Sequence, residues 1–244
     1  MKRIVGTVML AACALLLTAC AHTPEAIAEN DPLEPMNRAV YRFDKKFDQY
    51  VVLPVAWVYV YHLPPPVHHG LNNFLLNLDL PVTFANQVMQ GDIGYAGQTL
   101  ARFALNSTLG LAGFVDLAAR ADIPYRSADF GQTLGKYGMP EGPFLMLPVV
   151  GPAPPRDLLG TGVDIAINPL ILLPPGAPVV QHVLVSAGQR SLSPFEQHAR
   201  DIVLRNELEK GSVDPYVTMR SVYRQLRDDK IRSGPPDENP ASAK

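Results

Sequence analysis

The sequence predicts a mostly α-helical protein, and three observations support this fold class. Apolar side chains recur at helical spacing, as in Val40, Phe43 and Phe47. Strict alternation of apolar and polar residues, the pattern of half-buried strands, is scarce. Proline, at 24 of 244 residues, is about twice as frequent as the usual ~5% and divides the chain into short helices. Because prolines interrupt the long apolar segments, no spanning helix is expected.

Residues 1–19 are predicted to be a lipoprotein signal peptide. Lys2 and Arg3 precede an apolar run over residues 4–17 that is too short to span a bilayer. The run ends in Leu17-Thr18-Ala19-Cys20, which resembles the bacterial lipobox, in which the cysteine is acylated. An ordinary secretory peptide with an incidental cysteine is the alternative. No aspartate follows Cys20, and in many proteobacteria aspartate there retains lipoproteins in the inner membrane, so the resemblance implies the outer membrane.

The mature chain is expected to begin with a lipidated polar tether at residues 20–30. Asp31-Pro32-Leu33-Glu34 then predicts a helix start, with Asp31 as the cap and Glu34 completing a capping box. This amphipathic helix should extend to about Tyr50. The helical domain is predicted to occupy residues 31–232, and residues 233–244 form a polar, proline-rich tail that is expected to be disordered.

Residues 51–115 are almost free of charge. Only Asp79, Asp92 and Arg102 are formally charged there, whereas a soluble domain would carry about sixteen charged residues over this length. Such a segment is either enclosed by a larger protein or in contact with lipid. For a small chain with a predicted lipid anchor, contact with lipid is the better interpretation.

Proline and acidic residues predict the boundaries of helices in this region. Residues 67–78 have the apolar spacing of one helix. Asp79 is expected to cap the next helix, with Pro81 near its start. Asp92 is expected to cap a third helix, which ends near residue 106.

Glycine and proline dominate the segments that follow. Gly110 and Gly113 are expected to permit close helix approach. Residues 124–162 are predicted to be the least regular part of the chain, and the apolar run at 144–150 would be exposed if nothing covered it. Residues 165–189 lack charged side chains, but their prolines favour broken helices over a spanning helix.

Charge returns near the C-terminus, where two amphipathic, water-facing helices are predicted. The sequence Ser193-Pro194-Phe195-Glu196 is a capping box that should start a helix to about Lys210. Asp214-Pro215 should start the last helix, which extends to about Lys230.

Sequence motifs for catalysis are missing. The six histidines include no H-E-x-x-H pattern, and the G-x-S-x-G, G-x-G-x-x-G and P-loop patterns do not occur. We therefore expect no metal, no cofactor and no enzymatic activity. The formal net charge of −2 and the absence of a basic cluster also argue against a nucleic-acid partner.

Four sequence blocks resemble the VacJ/MlaA family of phospholipid-binding outer-membrane lipoproteins. They are residues 30–38 (NDPLEPMNR), residues 102–110 continuing to 113–116, residues 130–138 continuing to 142–144, and Asp214-Pro215-Tyr216. Their order and spacing match the family over roughly residues 30–230. The sequence is therefore identified as a member of this family by resemblance.

The resemblance implies a single ring-like helical domain in the inner leaflet of the outer membrane. A channel with polar walls would take up phospholipids that are mislocalised to the outer leaflet. A periplasmic lipid carrier would receive them for retrograde transport, which maintains lipid asymmetry. Trimeric porins are implied as partners. A structural lipoprotein that scaffolds a porin or envelope complex remains the alternative, and a lipid hydrolase is a more distant one.

The resemblance also implies that residues 130–149 border the channel and influence its opening. Glycines there would give the backbone freedom, and Lys136 would either meet a lipid phosphate or be solvated on a rim loop. The residues expected at this site are Phe130, Gly131, Gly135, Lys136, Tyr137, Gly138, Gly142 and Phe144.

Overall fold

The computed structural model describes residues 24–62, 64–168 and 211–233. The elements in these ranges are α1 (Pro24–Ala28), α2 (Glu34–Phe47), a π-helical turn (Asp48–Val52), α3 (Leu53–His62), α4 (Pro65–Met89), α5 (Ile93–Thr108), α6 (Leu117–Arg120), α7 (Phe130–Lys136), β1 (Met146–Leu147), β2 (Gly151–Pro152), α8 (Pro155–Ile167) and α9 (Pro215–Ser233). The two strands pair antiparallel, with Met146 opposite Pro152. The prediction of a mostly helical fold is confirmed. None of the described helices combines the length and apolar character needed to cross a membrane.

The predicted tether is partly structured. Within it, α1 forms a short helix whose Ala26 is fully buried. The tether is therefore packed against the domain before the first long helix begins. Cys20, the signal peptide and the tail at 234–244 lie outside the described residues.

The prediction that Asp31 caps α2 is wrong. The N-cap position belongs to Leu33, and no side chain caps this helix. Asp31 is instead fully buried and accepts hydrogen bonds from Asn37 Nδ2 (2.8 Å), the Tyr216 hydroxyl (2.5 Å) and Arg220 Nη1 (2.7 Å). Its carboxylate joins the start of the domain to its last helix.

One helical run leads from α2 through the π-helical turn into α3. Its buried face carries Asn37, Tyr41, Asp44 and Asp48, which recur at helical spacing. Pro54 is the second residue of α3 and directly follows the π-helical turn, where the hydrogen-bond pattern of the run changes.

The break predicted at Asp79 and Pro81 is also wrong, because α4 continues through both residues for 25 residues. An interior proline costs about 3 kcal/mol. Leu80 and Val82, which flank Pro81, are almost fully buried, and burying each such side chain contributes roughly 1.5–3 kcal/mol. Tertiary burial therefore outweighs the lost hydrogen bond.

Close approach to another helix is confirmed at Gly113, whereas the close contacts of Gly110 are with Asn106 and Val115 at the end of α5 and in the turn after it. A Cβ on Gly113, where φ is +100°, would lie 2.6 Å from Asn77 Cβ. A Cβ on Gly110 would lie 2.3 Å from the Val115 carbonyl oxygen. The chain after α5 thus folds back directly onto α4. Asp92 precedes α5 as predicted, but its side chain forms no cap hydrogen bond.

The segment predicted to be least regular, residues 124–162, contains α7 and the start of α8 but otherwise consists of loops, turns and the short β1–β2 pair, so the prediction is confirmed among the described residues. Its apolar run is divided between core and surface. Phe144 and Met146 join Tyr41 and Tyr216 in a buried apolar cluster, whereas the following Val149 and Val150 are exposed.

The predicted start of the last helix is confirmed. Asp214 Oδ1 accepts the Tyr216 N–H at 3.1 Å, and Pro215 opens α9. The predictions for residues 169–189 and 193–210 lie outside the described residues.

Candidate functional site

Helix α7 is the centre of the predicted site, and it lies against α4, α8 and α9. Asp129 caps it by accepting the Gln132 N–H at 2.8 Å. Gly131, Gln132 and Thr133 are buried, whereas Tyr137 and Gly138 are exposed. The predicted site residues 130–138 therefore form a helix with a buried start and an exposed turn after its end.

The glycines inside α7 provide close approach. A Cβ on Gly131 would lie 2.5 Å from Arg227 Nη2, and a Cβ on Gly135 would lie 2.7 Å from Ile231 Cδ1. Both residues have helical backbone. The expectation that these two glycines give the backbone freedom is therefore wrong: they let α9 pack directly against α7.

Arg227 on α9 connects the starts of α7 and α8. Its Nη1 and Nη2 donate to the two carboxylate oxygens of Asp129 at 2.7 Å each, and its Nε and Nη2 donate to Asp157 at 3.1 and 2.9 Å. Tyr223 also donates to Asp157, at 2.7 Å. Burial disfavours both ionised carboxylates, but the hydrogen bonds and charge of Arg227 outweigh it and hold the pKa of Asp129 and of Asp157 below the usual value.

A second buried polar layer joins α7 to α4 and α8. Asn86 donates to Asp164 at 2.8 Å and accepts from the Thr133 hydroxyl at 2.9 Å. Gln90 donates to the same hydroxyl at 2.9 Å. Asn86, Thr133 and Asp164 are essentially inaccessible to solvent. Three helices thus meet around buried polar side chains, whereas the buried interfaces between helices of most small domains are apolar.

Two further polar atoms in this region are buried and have no hydrogen-bond partner in the described part of the chain. They are Gln132 Oε1 on α7 and Arg156 Nη2 on α8. An unpaired buried polar group is destabilising by about 1–3 kcal/mol. Atoms of this kind also occur elsewhere in the described residues, for example Asn77 Oδ1 on α4 and Arg102 Nε on α5.

The exposed end of α7 is attached to the turn between α4 and α5. Lys136 Nζ pairs with Asp92, and the Tyr137 hydroxyl donates to the Met89 carbonyl oxygen. Gly138 follows with φ of +86° and open space around its Cα. Lys136 is therefore held in an ion pair with Asp92. The sequence analysis considered only contact with a lipid phosphate or full solvation for this side chain.

The structure separates the last two predicted site residues from α7. Gly142 lies in the loop after α7 with φ of +82°, and its carbonyl oxygen accepts from Asn30 Nδ2 at 2.8 Å. Phe144 is fully buried, with its ring 6.2 Å from that of Tyr216. Its N–H donates to the Asn30 carbonyl oxygen at 2.8 Å. Phe144 is thus a core residue, and its backbone hydrogen bond connects this segment to the N-terminal segment near Asn30.

The helices on the other side of this region expose apolar side chains. Among them are Val55 and Trp57 on α3, Val67 on α4, and Ile93 and Leu100 on α5. None of the three formal charges of residues 51–115 is fully exposed beside them. Arg102 is buried and pairs with Asp116 at 2.5 Å, Asp92 pairs with Lys136, and Asp79 is half-buried.

Comparison with known proteins decides the family. The sequence model of the MlaA lipoprotein family matches residues 29–230. The chain belongs to the MlaA lipoprotein family. A relative from Shigella flexneri, named intermembrane phospholipid transport system lipoprotein MlaA, is 35% identical over 92% of this chain and 89% of its own length. Relatives with the same name from Haemophilus influenzae (34%) and Escherichia coli K12 (35%) match 91% and 92% of this chain.

A solved structure agrees with this membership of the MlaA family. It is described as "Structural basis for maintenance of bacterial outer membrane lipid asymmetry". The match has a TM-score of 0.69 and 32% sequence identity, and it covers 83% of this chain and 99% of that chain. The MlaA fold therefore extends over most of the chain.

Sequence reasoning missed the packed face of α9 in this MlaA family member. Tyr216, Arg220, Tyr223 and Arg227 recur at intervals of four, three and four residues, so they lie on one face of the helix. We interpreted this helix as facing water because it is rich in charge. The periodicity of aromatic and arginine residues is the signal that could have identified the face, which contacts Asp31, Asp129 and Asp157.

Proposed function

We propose that this chain is an outer-membrane lipoprotein of intermembrane phospholipid transport. It takes mislocalised phospholipids from the outer leaflet through an amphipathic channel, and a periplasmic lipid carrier receives them for retrograde transport. The relatives named above support the transport role. The observation that carries the proposal is the pairing of exposed apolar helices with a buried polar layer in one small domain.

The exposed helices favour contact with acyl chains. Apolar side chains on α3, α4 and α5 are exposed, while the three charges of this region are buried, half-buried or paired. A water-facing surface formed by three helices would normally carry exposed charged residues. We propose that this ring-like domain lies in the inner leaflet of the outer membrane, with acylated Cys20 as its anchor on the periplasmic side.

The buried polar layer favours passage of a head group. Moving a polar group through hydrocarbon without hydrogen bonds costs several kcal/mol. Asn86, Gln90 and Thr133 offer alternative donors and acceptors in the same place. Gln132 Oε1 and Arg156 Nη2 are buried without a hydrogen-bond partner in the described residues, and we propose that they bind an incoming polar group when the layer opens. Lipid movement by this route needs no bond chemistry, so we propose transport without catalysis.

We further propose that the end of α7 acts as the gate of this route. Lys136 and Tyr137 hold it to the α4–α5 turn through Asp92 and the Met89 carbonyl. Release of these two contacts would free the segment after Gly138, whose backbone conformation suits glycine. A lipid phosphate can then replace Asp92 as the partner of Lys136. Trimeric porins are proposed as membrane partners of the same assembly.

Bound lipid distinguishes transport from a scaffold role. The full acylated chain is purified from membranes in mild detergent, and its phospholipid is extracted and quantified per protein. Transport predicts co-purified phospholipid, and Gln132→Leu should reduce it, since this change removes the unpaired amide oxygen but nearly preserves side-chain size. Gln225→Leu, on the exposed face of α9, is the matched control. A lipid-free protein of native fold would favour the scaffold.

A further inference from the structure

The run from α2 into α3 contains a sharp boundary between charged and apolar surface. Lys45 and Lys46 are exposed near the end of α2, and the last charged residue, Asp48, is buried. From Tyr50 to Val58 the exposed side chains are apolar or aromatic. Because the helical run is continuous, this change in character takes place over about one turn.

Two cations lie on the side of α2 that faces away from the protein. Arg42 and Lys46 are separated by four residues, so they are neighbours on one helical face. That face lies opposite the buried residues Asn37, Tyr41 and Asp44. Both cationic side chains are exposed. They therefore project outward next to the apolar surface of α3.

The acidic residues at this end of α2 do not project with them. Asp44 is buried, and its Oδ1 accepts the Val149 N–H at 2.7 Å. Asp48 is also buried. The exposed formal charge near the boundary is therefore positive, although the whole chain carries a net charge of −2.

The aromatic side chains next to the cations are those that favour a bilayer interface. Phe43 and Phe47 stack at 6.1 Å between ring centroids, and Tyr50 and Trp57 are exposed farther along the run. Aromatic residues of this kind are enriched where hydrocarbon meets water. Their position beside Arg42 and Lys46 combines an interfacial anchor with positive charge.

The spacing along the axis fits a head-group layer. Lys46 and Tyr50 are four residues apart, which corresponds to roughly 6 Å of helix rise. The polar layer on each side of a bilayer is about 5–7 Å thick. When the axis of the run lies along the bilayer normal, a cation at Lys46 thus reaches phosphates with Tyr50 at the edge of the hydrocarbon.

We propose that Arg42 and Lys46 bind the head groups of anionic phospholipids at the membrane surface, beside the apolar surface of α3. The inference rests on the part of the proposed function that sets α3 against lipid. Charge complementarity selects the occupant, because a zwitterionic head group offers no net negative charge to two adjacent cations. Each exposed cation contributes roughly a fivefold preference for an anionic surface. The patch enriches anionic lipid around the protein and fixes the depth of α3.

Trp57 provides the probe, since it is the single tryptophan of the chain and is 56% exposed on α3. The full acylated chain is reconstituted into phosphatidylethanolamine vesicles that contain brominated phosphatidylglycerol or the same mole fraction of brominated phosphatidylethanolamine. Bromine quenches tryptophan emission at short range. We expect several-fold stronger association of the brominated anionic lipid, and a loss of this difference at high salt because screening weakens the attraction.

The variant R42Q/K46Q should be quenched equally by the two brominated lipids. R120Q/R232Q removes the same charge from exposed positions elsewhere and should retain the preference. Equal quenching of the wild type by both lipids would overturn the inference, although it would still show that α3 contacts the membrane. An acidic protein surface would then be the alternative partner of Arg42 and Lys46. No quenching by either lipid would overturn the inference together with the proposed position of α3 in lipid.

Discussion

Gly131 and Gly160 bring two helices into backbone contact. A Cβ on Gly160 would lie 2.2 Å from the amide nitrogen of Gly131 and 2.6 Å from its Cα. Helix α8 therefore crosses α7 with no side chain between them. This contact places Asp129, Asp157 and Asp164 close enough for the polar layers of the site to form.

Gly160→Ala should disrupt this crossing. The added methyl meets backbone atoms, which cannot rotate away, so we expect a loss of about 1–3 kcal/mol in the free energy of unfolding. Gly162→Ala is the matched control on the same helix, because its Cβ meets nothing within 4 Å, and alanine there should stabilise the helix by roughly 0.5–1 kcal/mol. Denaturant unfolding of both variants checks the prediction, and equal stability would contradict it.

Arg227→Gln should destabilise the protein more than any surface charge change. It leaves Asp129 and Asp157 without their shared cation. Breaking a buried ion pair costs about 3–5 kcal/mol, and we expect about 2–4 kcal/mol because Asp129 retains some contact with water. Arg232→Gln removes an exposed pair with Asp228 at 3.5 Å and should cost less than about 0.5 kcal/mol. Thermal unfolding of the two variants measures the difference.

Acid should weaken the same junction. The pKa values of Asp129 and Asp157 are lowered in the folded protein below the reference value of 3.8. Their contribution to stability is therefore complete well above pH 3.8 and is lost as the pH falls through that value toward the folded-state pKa. Unfolding free energies measured from neutral pH downward should fall in that range. If the unfolding free energy of Arg227→Gln fell as steeply with decreasing pH as that of the wild type, the ion pairs of Arg227 would not be the source of the acid sensitivity.

Asp31→Asn should release the start of the domain from α9. The change preserves shape but leaves Arg220 buried without its carboxylate, which costs about 3–5 kcal/mol. Glu29→Gln alters an exposed carboxylate that lies 3.2 Å from Arg224 and 3.9 Å from Arg220, and it should change stability by less than about 0.5 kcal/mol. Limited proteolysis near residue 30, with unfolding measured in parallel, separates the two variants. Similar protection of both would refute a structural role for Asp31.

Gly138→Pro should impair transport while the protein remains abundant in the membrane. Proline requires φ near −65°, whereas Gly138 has φ of +86°, so the turn after α7 must rebuild. We expect more phosphatidylethanolamine on the cell surface than with the wild type. Gly151→Pro imposes the same conflict at φ of +83° in equally open surroundings and should leave surface lipid unchanged. If neither variant alters surface lipid, the gate proposed at α7 is wrong.

Local sequence patterns predicted the elements whose signals are local. The start of α9 at Asp214-Pro215 and the helical spacing of α2 depend on neighbours within one turn. Asp31 shows the limit, since its local pattern is that of a cap and its partners Tyr216 and Arg220 are 185 and 189 residues away. Pro81 shows the same limit, because burial of its neighbours by other helices decides that α4 continues.

Glycine is ambiguous in sequence for a physical reason. In the sequence, Gly131 and Gly135 cannot be distinguished from turn glycines. In the structure they lie in a helix, at the positions where α8 and α9 approach it closely. Gly138, three residues later, has a positive φ and does form a turn. Only the position of the opposing helix distinguishes a packing glycine from a turn glycine. A local sequence pattern does not contain that position.

Surface-exposed phosphatidylethanolamine on intact cells tests the central claim of anchored, retrograde lipid removal most directly. Cells that lack this gene are complemented with the wild type or with Cys20→Ala. The account predicts that surface phosphatidylethanolamine rises on deletion, falls with the wild type and stays high with Cys20→Ala. Unchanged surface lipid after deletion, in a strain whose wild-type protein reaches the outer membrane, would contradict transport and favour a scaffold.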